Sequence, residues 1–246
     1  MGDAAERINP YSGDERNKTQ QVEAMFDSIA PAYDFMNAAM SFGLHRRWLR
    51  KAIKKAAIDS PTDILDVATG TADVAIALSQ RLPDAHITGI DLSEGMLAIG
   101  RKKVNKAGLN QSIDLLQADC LNLPFPDNSF DCITVAYGVR NFEHLLEGYK
   151  EMTRVLRKDG RIVVIELSTP RAPWVKPFYK FYTRYIIPLV GRIVSKDVRA
   201  YSYLPESIAA VAQGNAMTDL MEKAGLHNAS FNPLSFGVCT IYTASK

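Results

Sequence analysis

One segment constrains this chain more than any other: Ile64-Leu65-Asp66-Val67-Ala68-Thr69-Gly70-Thr71-Ala72-Asp73. A short apolar run ends near Asp66, passes through a turn of small residues and opens onto a helical pattern over 73–81. Small residues at Ala68, Gly70 and Ala72 let the backbone approach a bound molecule closely. The free N–H groups at the helix start can hold acceptor atoms. The alternation continues downstream, with strands predicted over 63–67, 86–90, 112–117, 131–135 and 161–166 and helices over 73–81, 93–107 and 143–156. Ser93 is the expected start of one helix, and Gly108 and Gly160 are expected stops. Strands alternating with helices need crossover connections, hence a mostly parallel sheet with helices on both faces. A helix over about 218–224, ended by Gly225, precedes two runs, 228–231 and 238–244, predicted to form a strand pair.

The flanks differ in character. Residues 1–16 are polar and are expected to be a disordered tail. Val22, Met25, Phe26 and Ile29 recur at helical spacing, Pro31 follows, and 32–42 reads as a connecting segment. Over 45–58 a second helix carries Trp48, Leu49, Ala52 and Ile53 on one face and Arg46, Arg47, Arg50, Lys51, Lys54 and Lys55 on the other. Together 17–58 is expected to cover the site. Residues 168–200, rich in Pro, aromatic and basic side chains, read as an insertion.

Length and composition bound the rest. With 246 residues, 47% of them hydrophobic, the chain suits one large α/β domain. A net charge of +2 gives no sign of a nucleic-acid binder. Three cysteines, Cys120, Cys132 and Cys239, argue against a disulfide framework and for a reducing, cytoplasmic compartment. Within the 131–135 strand, Cys132 reads as a small core residue. His45, His86, His144 and His227 are scattered, so no metal site is expected. The N-terminus lacks the apolar region of a signal peptide, and Glu6 stands where myristoylation wants Ser or Thr. The longest apolar stretch, 185–190, is broken by Pro188 and too short to span a bilayer.

Asp91 closes the second strand and can accept both hydroxyls of a ribose. Asp119, in Gln117-Ala118-Asp119-Cys120 after the third strand, can accept an adenine amino group, with Cys120 contributing its backbone. Nicotinamide dinucleotides and S-adenosylmethionine both fit this outline, and charge separates them. A pyrophosphate at the first turn would meet Asp66 and Asp73, which repel it, and the GxGxxG fingerprint is absent. S-adenosylmethionine has no phosphate and carries an ammonium and a sulfonium, which carboxylates attract. The plain alternatives are that Asp66 is a strand-end residue, Asp73 a helix cap and Asp119 a solvated loop residue.

Several further stretches carry a resemblance. They are Tyr33-Asp34-Phe35-Met36-Asn37 continuing into Ser41-Phe42-Gly43-Leu44-His45-Arg46, then Tyr137-Gly138-Val139-Arg140-Asn141 with Arg154-Val155-Leu156, and Tyr201-Ser202-Tyr203-Leu204-Pro205-Glu206-Ser207-Ile208. Leu123-Pro124-Phe125-Pro126-Asp127-Asn128-Ser129-Phe130-Asp131 adds less, because many class I methyltransferases share it. From about residue 19 onward the chain resembles the menaquinone/ubiquinone-biosynthesis C-methyltransferase family, nearest within it to the demethylmenaquinone methyltransferases. The resemblance implies a class I methyltransferase (Rossmann-like) fold, with a seven-stranded, mostly parallel sheet and an antiparallel C-terminal strand. Asp66, Gly70, Thr71, Asp91, Asp119 and Cys120 are the expected contacts to S-adenosylmethionine. Of these, Thr71, Asp91, Asp119 and Cys120 match family cofactor positions. Relatives commonly have more glycine where Ala68, Thr69 and Ala72 stand, and many have Ser where Ala136 stands, so that serine contact is not carried over.

The implied reaction moves a methyl group from sulfur to a ring carbon of a polyprenylated naphthoquinol, demethylmenaquinol. A phenol has a pKa of about 10, judged by tyrosine, and its phenolate is the better carbon nucleophile. Arg140 is the expected cation for that phenolate, Asn141 would orient the ring or a water, and Tyr33 would bond the substrate oxygen. Arg140 and Asn141 otherwise read as the start of the helix after the fourth strand. The proton acceptor is left open between a water and a carboxylate. Trp174, Phe178, Tyr179, Phe181, Tyr182 and Tyr185 among Arg171, Lys176, Lys180, Arg184, Arg192, Lys196 and Arg199 suit an anionic membrane surface, an apolar lid, or a lid helix with a solvated basic face. The competing readings are methylation of a benzoquinol or another apolar small molecule, a nicotinamide-dependent oxidoreductase, and a non-catalytic lipid-binding protein.

Overall fold

A computed structural model of the protein describes residues 8–11, 13–170, 172–187 and 198–246. The strands are β1 (Asp63–Val67), β2 (His86–Asp91), β3 (Ile113–Gln117), β4 (Phe130–Ala136), β5 (Leu156–Leu167), β6 (His227–Leu234) and β7 (Cys239–Ser245). They form one sheet in the order β3-β2-β1-β4-β5-β7-β6. The first five run parallel, and β7 lies antiparallel between β5 and β6. β1 is central: Ile64, Leu65 and Val67 are at most 1% exposed, as a strand covered on both faces requires. The order reverses between β1 and β4, which opens a crevice at the carboxyl ends of the strands.

Helices α1 (Lys18–Ile29), α2 (Tyr33–Met40), α3 (Leu44–Ala56), α4 (Asp73–Arg81), α5 (Glu94–Ala107), α6 (Leu145–Val155), α7 (Lys176–Phe181), α8 (Val198–Ala210) and α9 (Asn215–Lys223) surround the sheet. One face packs on α6 and α9 through Tyr149, Met152 and Met217; the other packs on α3 and α4 through Trp48, Ala75 and Leu78. A third apolar cluster joins α1 and α2 to α8 through Met25, Met36 and Tyr203. Asn17 caps α1 by accepting from Gln20 N at 2.9 Å, and Ser93 caps α5 by accepting from Met96 N at 3.1 Å. Gly108, at φ 70°, ends α5 in the left-handed conformation glycine takes freely.

Four local expectations need correction. The 32–42 segment is helical: Pro31 sits in a 3-10 turn that leads into α2, where proline's fixed φ starts a helix rather than stopping one. Met36, 1% exposed, anchors α2 to the third cluster, and that burial overrides the weak helix formers Asp34 and Asn37. Gly160 stops no helix. It lies inside β5, where Phe130 pairs with Leu156 and Cys132 with Arg161, so the residues between loop out of register. Ile8 and Tyr11, from the stretch expected to be disordered, lie against the third cluster, and Tyr11 N donates to Gln21 Oε1 at 3.0 Å. Residues 1–7 and 12 lie outside the described residues. Finally, helix α8 runs on to Ala210, past the expected end of the insertion.

Candidate active site

Two cavities meet at the carboxyl edge of the sheet. The first, about 720 Å³, is floored by the β1 turn and the ends of β2, β3 and β4, and roofed by Val22 and Phe26 of α1. Gly70 has φ 56°, and its N–H donates to Asp91 Oδ2 at 2.8 Å; Ser93 N donates to Asp91 Oδ1 at 2.9 Å. Each oxygen of Asp91 keeps lone-pair capacity toward the cavity. Burial raises the Asp91 pKa to about 6, against the opposing effect of the amides of Ser93, Gly70 and Leu92. Asp119 lines the same cavity and accepts from Leu121 N at 2.9 Å. Cys120 lies beside it, 8% exposed, and burial keeps its thiol protonated. The cradle of carboxylates and close backbone therefore fits the adenosine half of S-adenosylmethionine.

The side chains of Asp66 and Thr71 are engaged within the protein. Asp66 is 1% exposed and does not line the cavity; its oxygens accept from Thr69 Oγ1 and Thr134 Oγ1, each at 2.6 Å. It pins the turn from beneath, and burial raises its pKa to about 6. The Thr71 hydroxyl donates to Asp34 Oδ1 at 2.6 Å, so its side chain ties the turn to α2. Asp73 caps nothing, because Ala72 is the cap of α4, and it is paired with Lys103. Asp66, held beneath the turn, and Asp73, paired with Lys103, therefore do not line the cavity, and the repulsion expected from them toward a pyrophosphate has no support in their placement. Ala68 and Ala72 hold φ of 55° and 65°. Glycine would adopt these angles with less strain.

The second cavity, about 1,210 Å³, is mostly apolar and is walled by α2, α3, α7 and α8. Tyr33 and Tyr137 line both cavities and mark where they join. Arg140 lines the second cavity, 6% exposed, in a 3-10 turn over Val139–Asn141. Helix α6 starts later, at Leu145 with His144 as its cap, so Arg140 and Asn141 are not its first residues. Arg140 Nη1 pairs with Glu166 Oε1 at 2.7 Å and also bonds the Tyr137 carbonyl. Burial works against the Arg140 charge, but Glu166 and the facing tyrosines outweigh it and hold its pKa above the usual value. Its Nε–H is buried with no hydrogen-bond partner. The buried Tyr137 hydroxyl likewise finds no oxygen or nitrogen and has only the weak acceptor Cys239 sulfur beside it. Asn141 Oδ1 accepts from Tyr203 Oη at 3.2 Å, which links the Arg-Asn turn to α8. Burial pushes the Tyr33 hydroxyl pKa above its usual value.

Sequence reading missed the groups that hold these in place. Glu166 is 1% exposed, and its oxygens accept from Arg140 Nη1, Arg140 N and Leu167 N. Lys18 is 2% exposed and donates to Phe142 O at 3.0 Å, while Thr19 Oγ1 donates to Glu143 at 2.6 Å, clamping α1 onto the turn. A glutamate closing an apolar run was the visible signal for Glu166; nothing in the sequence marks Lys18. Among the described residues no cluster of His, Cys, Asp and Glu is placed to hold a metal.

Comparison with known proteins agrees with this geometry. A model of the ubiE/COQ5 methyltransferase family matches residues 14–246. The chain is 47% identical to a demethylmenaquinone methyltransferase of Bacteroides fragilis over 98% of both chains. It is 42% identical to a ubiquinone/menaquinone biosynthesis C-methyltransferase UbiE of Geotalea daltonii, over 93% of this chain and 97% of that one. A solved S-adenosylmethionine-dependent methyltransferase of Thermotoga maritima superposes with a TM-score of 0.63 at 19% identity, over 91% and 99% of the two chains, and shares the fold. With the Asp91 cradle, the Arg-Asn turn and the adjoining apolar cavity all inside the matched region, the chain belongs to the ubiE/COQ5 methyltransferase family.

Proposed function

We propose that this enzyme transfers a methyl group from S-adenosylmethionine to a ring carbon of demethylmenaquinol. The observation that carries the reading is the buried Arg140 cation lining the apolar cavity that adjoins the cofactor cleft. Its guanidinium can donate to a quinol oxygen, and that interaction strengthens as phenolate charge develops. S-adenosylmethionine supplies the methyl group. Asp91, Asp119 and the Gly70 turn hold the adenosine, Tyr33 and Asn141 position the ring, and the apolar walls exclude water. Purified enzyme given S-adenosylmethionine and reduced demethylmenaquinone is expected to release a product one methyl heavier by mass spectrometry. Failure to do so would sink the reading. A demethylated benzoquinol is the second acceptor to test, because the Geotalea relative's name covers both quinone classes.

Cofactor binding is expected to follow the Asp91 carboxylate. A ribose hydroxyl donates far more strongly to the ionised form, and the free-protein pKa is about 6. Affinity should be flat above pH 7 and fall toward about tenfold per pH unit below 6. Calorimetric titration between pH 5 and 8 checks this, and a level profile would refute it.

The exposed aromatic rim of the second cavity supports peripheral membrane association. Phe178 (76% exposed) and Trp174 (61%) come from the insertion, and Phe42 (80%) and Phe236 (68%) join them from distant parts of the chain. Trp174 and Phe236 pack at 4.8 Å, and Phe42 lies 6.1 Å from Tyr182. Lys176, Lys180 and Arg184 are exposed among them, while Arg171, Arg192 and Lys196 lie outside the described residues. Aromatic side chains flanked by cations favour an anionic interface. No described helix is long and apolar enough to cross a membrane. The enzyme is expected to float with anionic vesicles, and a Trp174→Ser, Phe178→Ser, Phe236→Ser variant to stay behind. Equal flotation of both would discard the rim as the anchor.

A further inference from the structure

A file of polar side chains runs along the wall of the otherwise apolar cavity. Tyr33, Asn37, Ser41 and His45 are spaced four apart through α2, the turn after it and the first turn of α3, and all four line the cavity. Residues four apart share a helix face. The file survives the chain break at Gly43 because Ser41 and His45 are bonded to each other.

That bond determines which imidazole nitrogen is basic. Ser41 Oγ lies 2.6 Å from the Asn37 carbonyl oxygen and 2.7 Å from His45 Nδ1. A carbonyl oxygen only accepts, so the single hydroxyl proton of Ser41 goes to Asn37. Ser41 Oγ must then accept from His45 Nδ1–H, as it does from the His45 backbone N–H at 3.4 Å. The neutral ring therefore carries its proton on Nδ1 and presents a bare lone pair at Nε2, which no hydrogen bond from the described residues occupies.

The other titratable groups at the cavity are poor bases. Burial pushes Tyr33, Tyr137, Tyr179 and Tyr182 above their usual pKa, so they stay protonated. Arg140 is held as a cation, and Glu166, bonded to Arg140 and Leu167, does not line the cavity. Around His45, burial and Arg46 of its own helix lower the pKa, while Asp73 of α4 and Asp34 of α2 raise it; both of these carboxylates are paired with Lys103 of α5. The net direction is downward, so the ring is neutral at pH 7.

Resting on the reaction proposed above, we propose that His45 is its general base. Nε2 accepts the proton of the quinol hydroxyl beside the methyl-accepting carbon, and the O–H electron pair enters the ring. That carbon bonds the methyl carbon as the methyl–sulfur bond breaks, and the pair from that bond stays on sulfur. The ring carbon's own hydrogen then leaves as a proton to solvent, aromaticity returns, and His45 hands its proton back to the oxygen. One proton is released per methyl transferred.

The test starts from wild-type turnover of a short-tailed demethylmenaquinol; its absence overturns the reaction and the base together. With turnover in hand, His45→Gln is expected to lower kcat at least about 100-fold with unchanged S-adenosylmethionine affinity. His45→Ala should recover at least about tenfold with added imidazole, and Ser41→Ala, which frees the tautomer, should lose several-fold. Independently of activity, nitrogen NMR of the wild-type protein should show His45 protonated on Nδ1 and bare on Nε2. Retention of half the wild-type kcat by His45→Gln, or an Nε2-protonated ring in the resting enzyme, would overturn the assignment.

Discussion

Replacement of Arg140 by Met is expected to reduce turnover of demethylmenaquinol by about 10²–10³-fold or more, while S-adenosylmethionine still binds within a few-fold of wild type. Losing one donor to a developing oxyanion costs a factor of that size. The substitution has a further effect that must be separated from the first. Arg140 and Glu166 form a buried pair at 2.7 Å, with side chains 8% and 2% exposed. Removing one partner strands the other charge, at a cost of about 3–5 kcal/mol in stability. Arg140→Met combined with Glu166→Gln removes both charges, so most of the stability should return but none of the turnover. Thermal melting and steady-state kinetics on the wild type and these two variants distinguish the two roles. If the double variant recovered activity along with stability, Arg140 would be a folding element rather than a catalytic one.

Replacement of Asp91 by Ala is expected to weaken S-adenosylmethionine binding on the order of 10³-fold at pH 7.5. Two hydrogen bonds from ribose hydroxyls to a carboxylate, at roughly 1.5–3 kcal/mol each, account for this size of loss. The substitution also releases the amides of Gly70 and Ser93, which bond the carboxylate in the folded protein. The turn should loosen, and stability should fall modestly. Isothermal titration measures the affinity directly; a loss under fivefold would remove Asp91 from the cofactor site. By contrast, Asp66→Asn should act mainly on stability, because Asp66 bonds Thr69 and Thr134 rather than facing the cavity.

Features built from residues close in sequence are the legible ones. The β1 turn is legible because Ala68, Gly70 and Ala72 fall within one turn whose shape depends on small side chains. The strands are legible because a strand buried on both faces is a short, nearly continuous apolar run, as β1 and β4 are. Helix α2 is not, because its single deeply buried anchor, Met36, packs against residues far away in the chain. Gly160 misleads because a glycine after a helical pattern is a common stop, and only pairing of β4 with β5 shows that it bulges inside a strand.

The site divides along the same line. By itself the sequence determined the fold class, the cofactor turn, Asp91 and Asp119 at strand ends, and the Arg140-Asn141 pair. All but the Arg140-Asn141 pair are set by local spacing or by the period of a strand and the helix after it; that pair stood out only through the family resemblance. Tertiary structure alone decided which acids face the ligand. Asp66 and Asp91 lie at or next to the ends of parallel strands and take one donor on each oxygen, yet Asp66 is buried beneath the turn whereas Asp91 lines the cleft. It alone paired Arg140 with Glu166, brought Phe42 and Phe236 to the rim beside Trp174, and set the proton of His45 through Ser41 and Asn37. Those outcomes depend on which donors fill which lone pairs across distant segments, and a one-dimensional pattern does not carry that information.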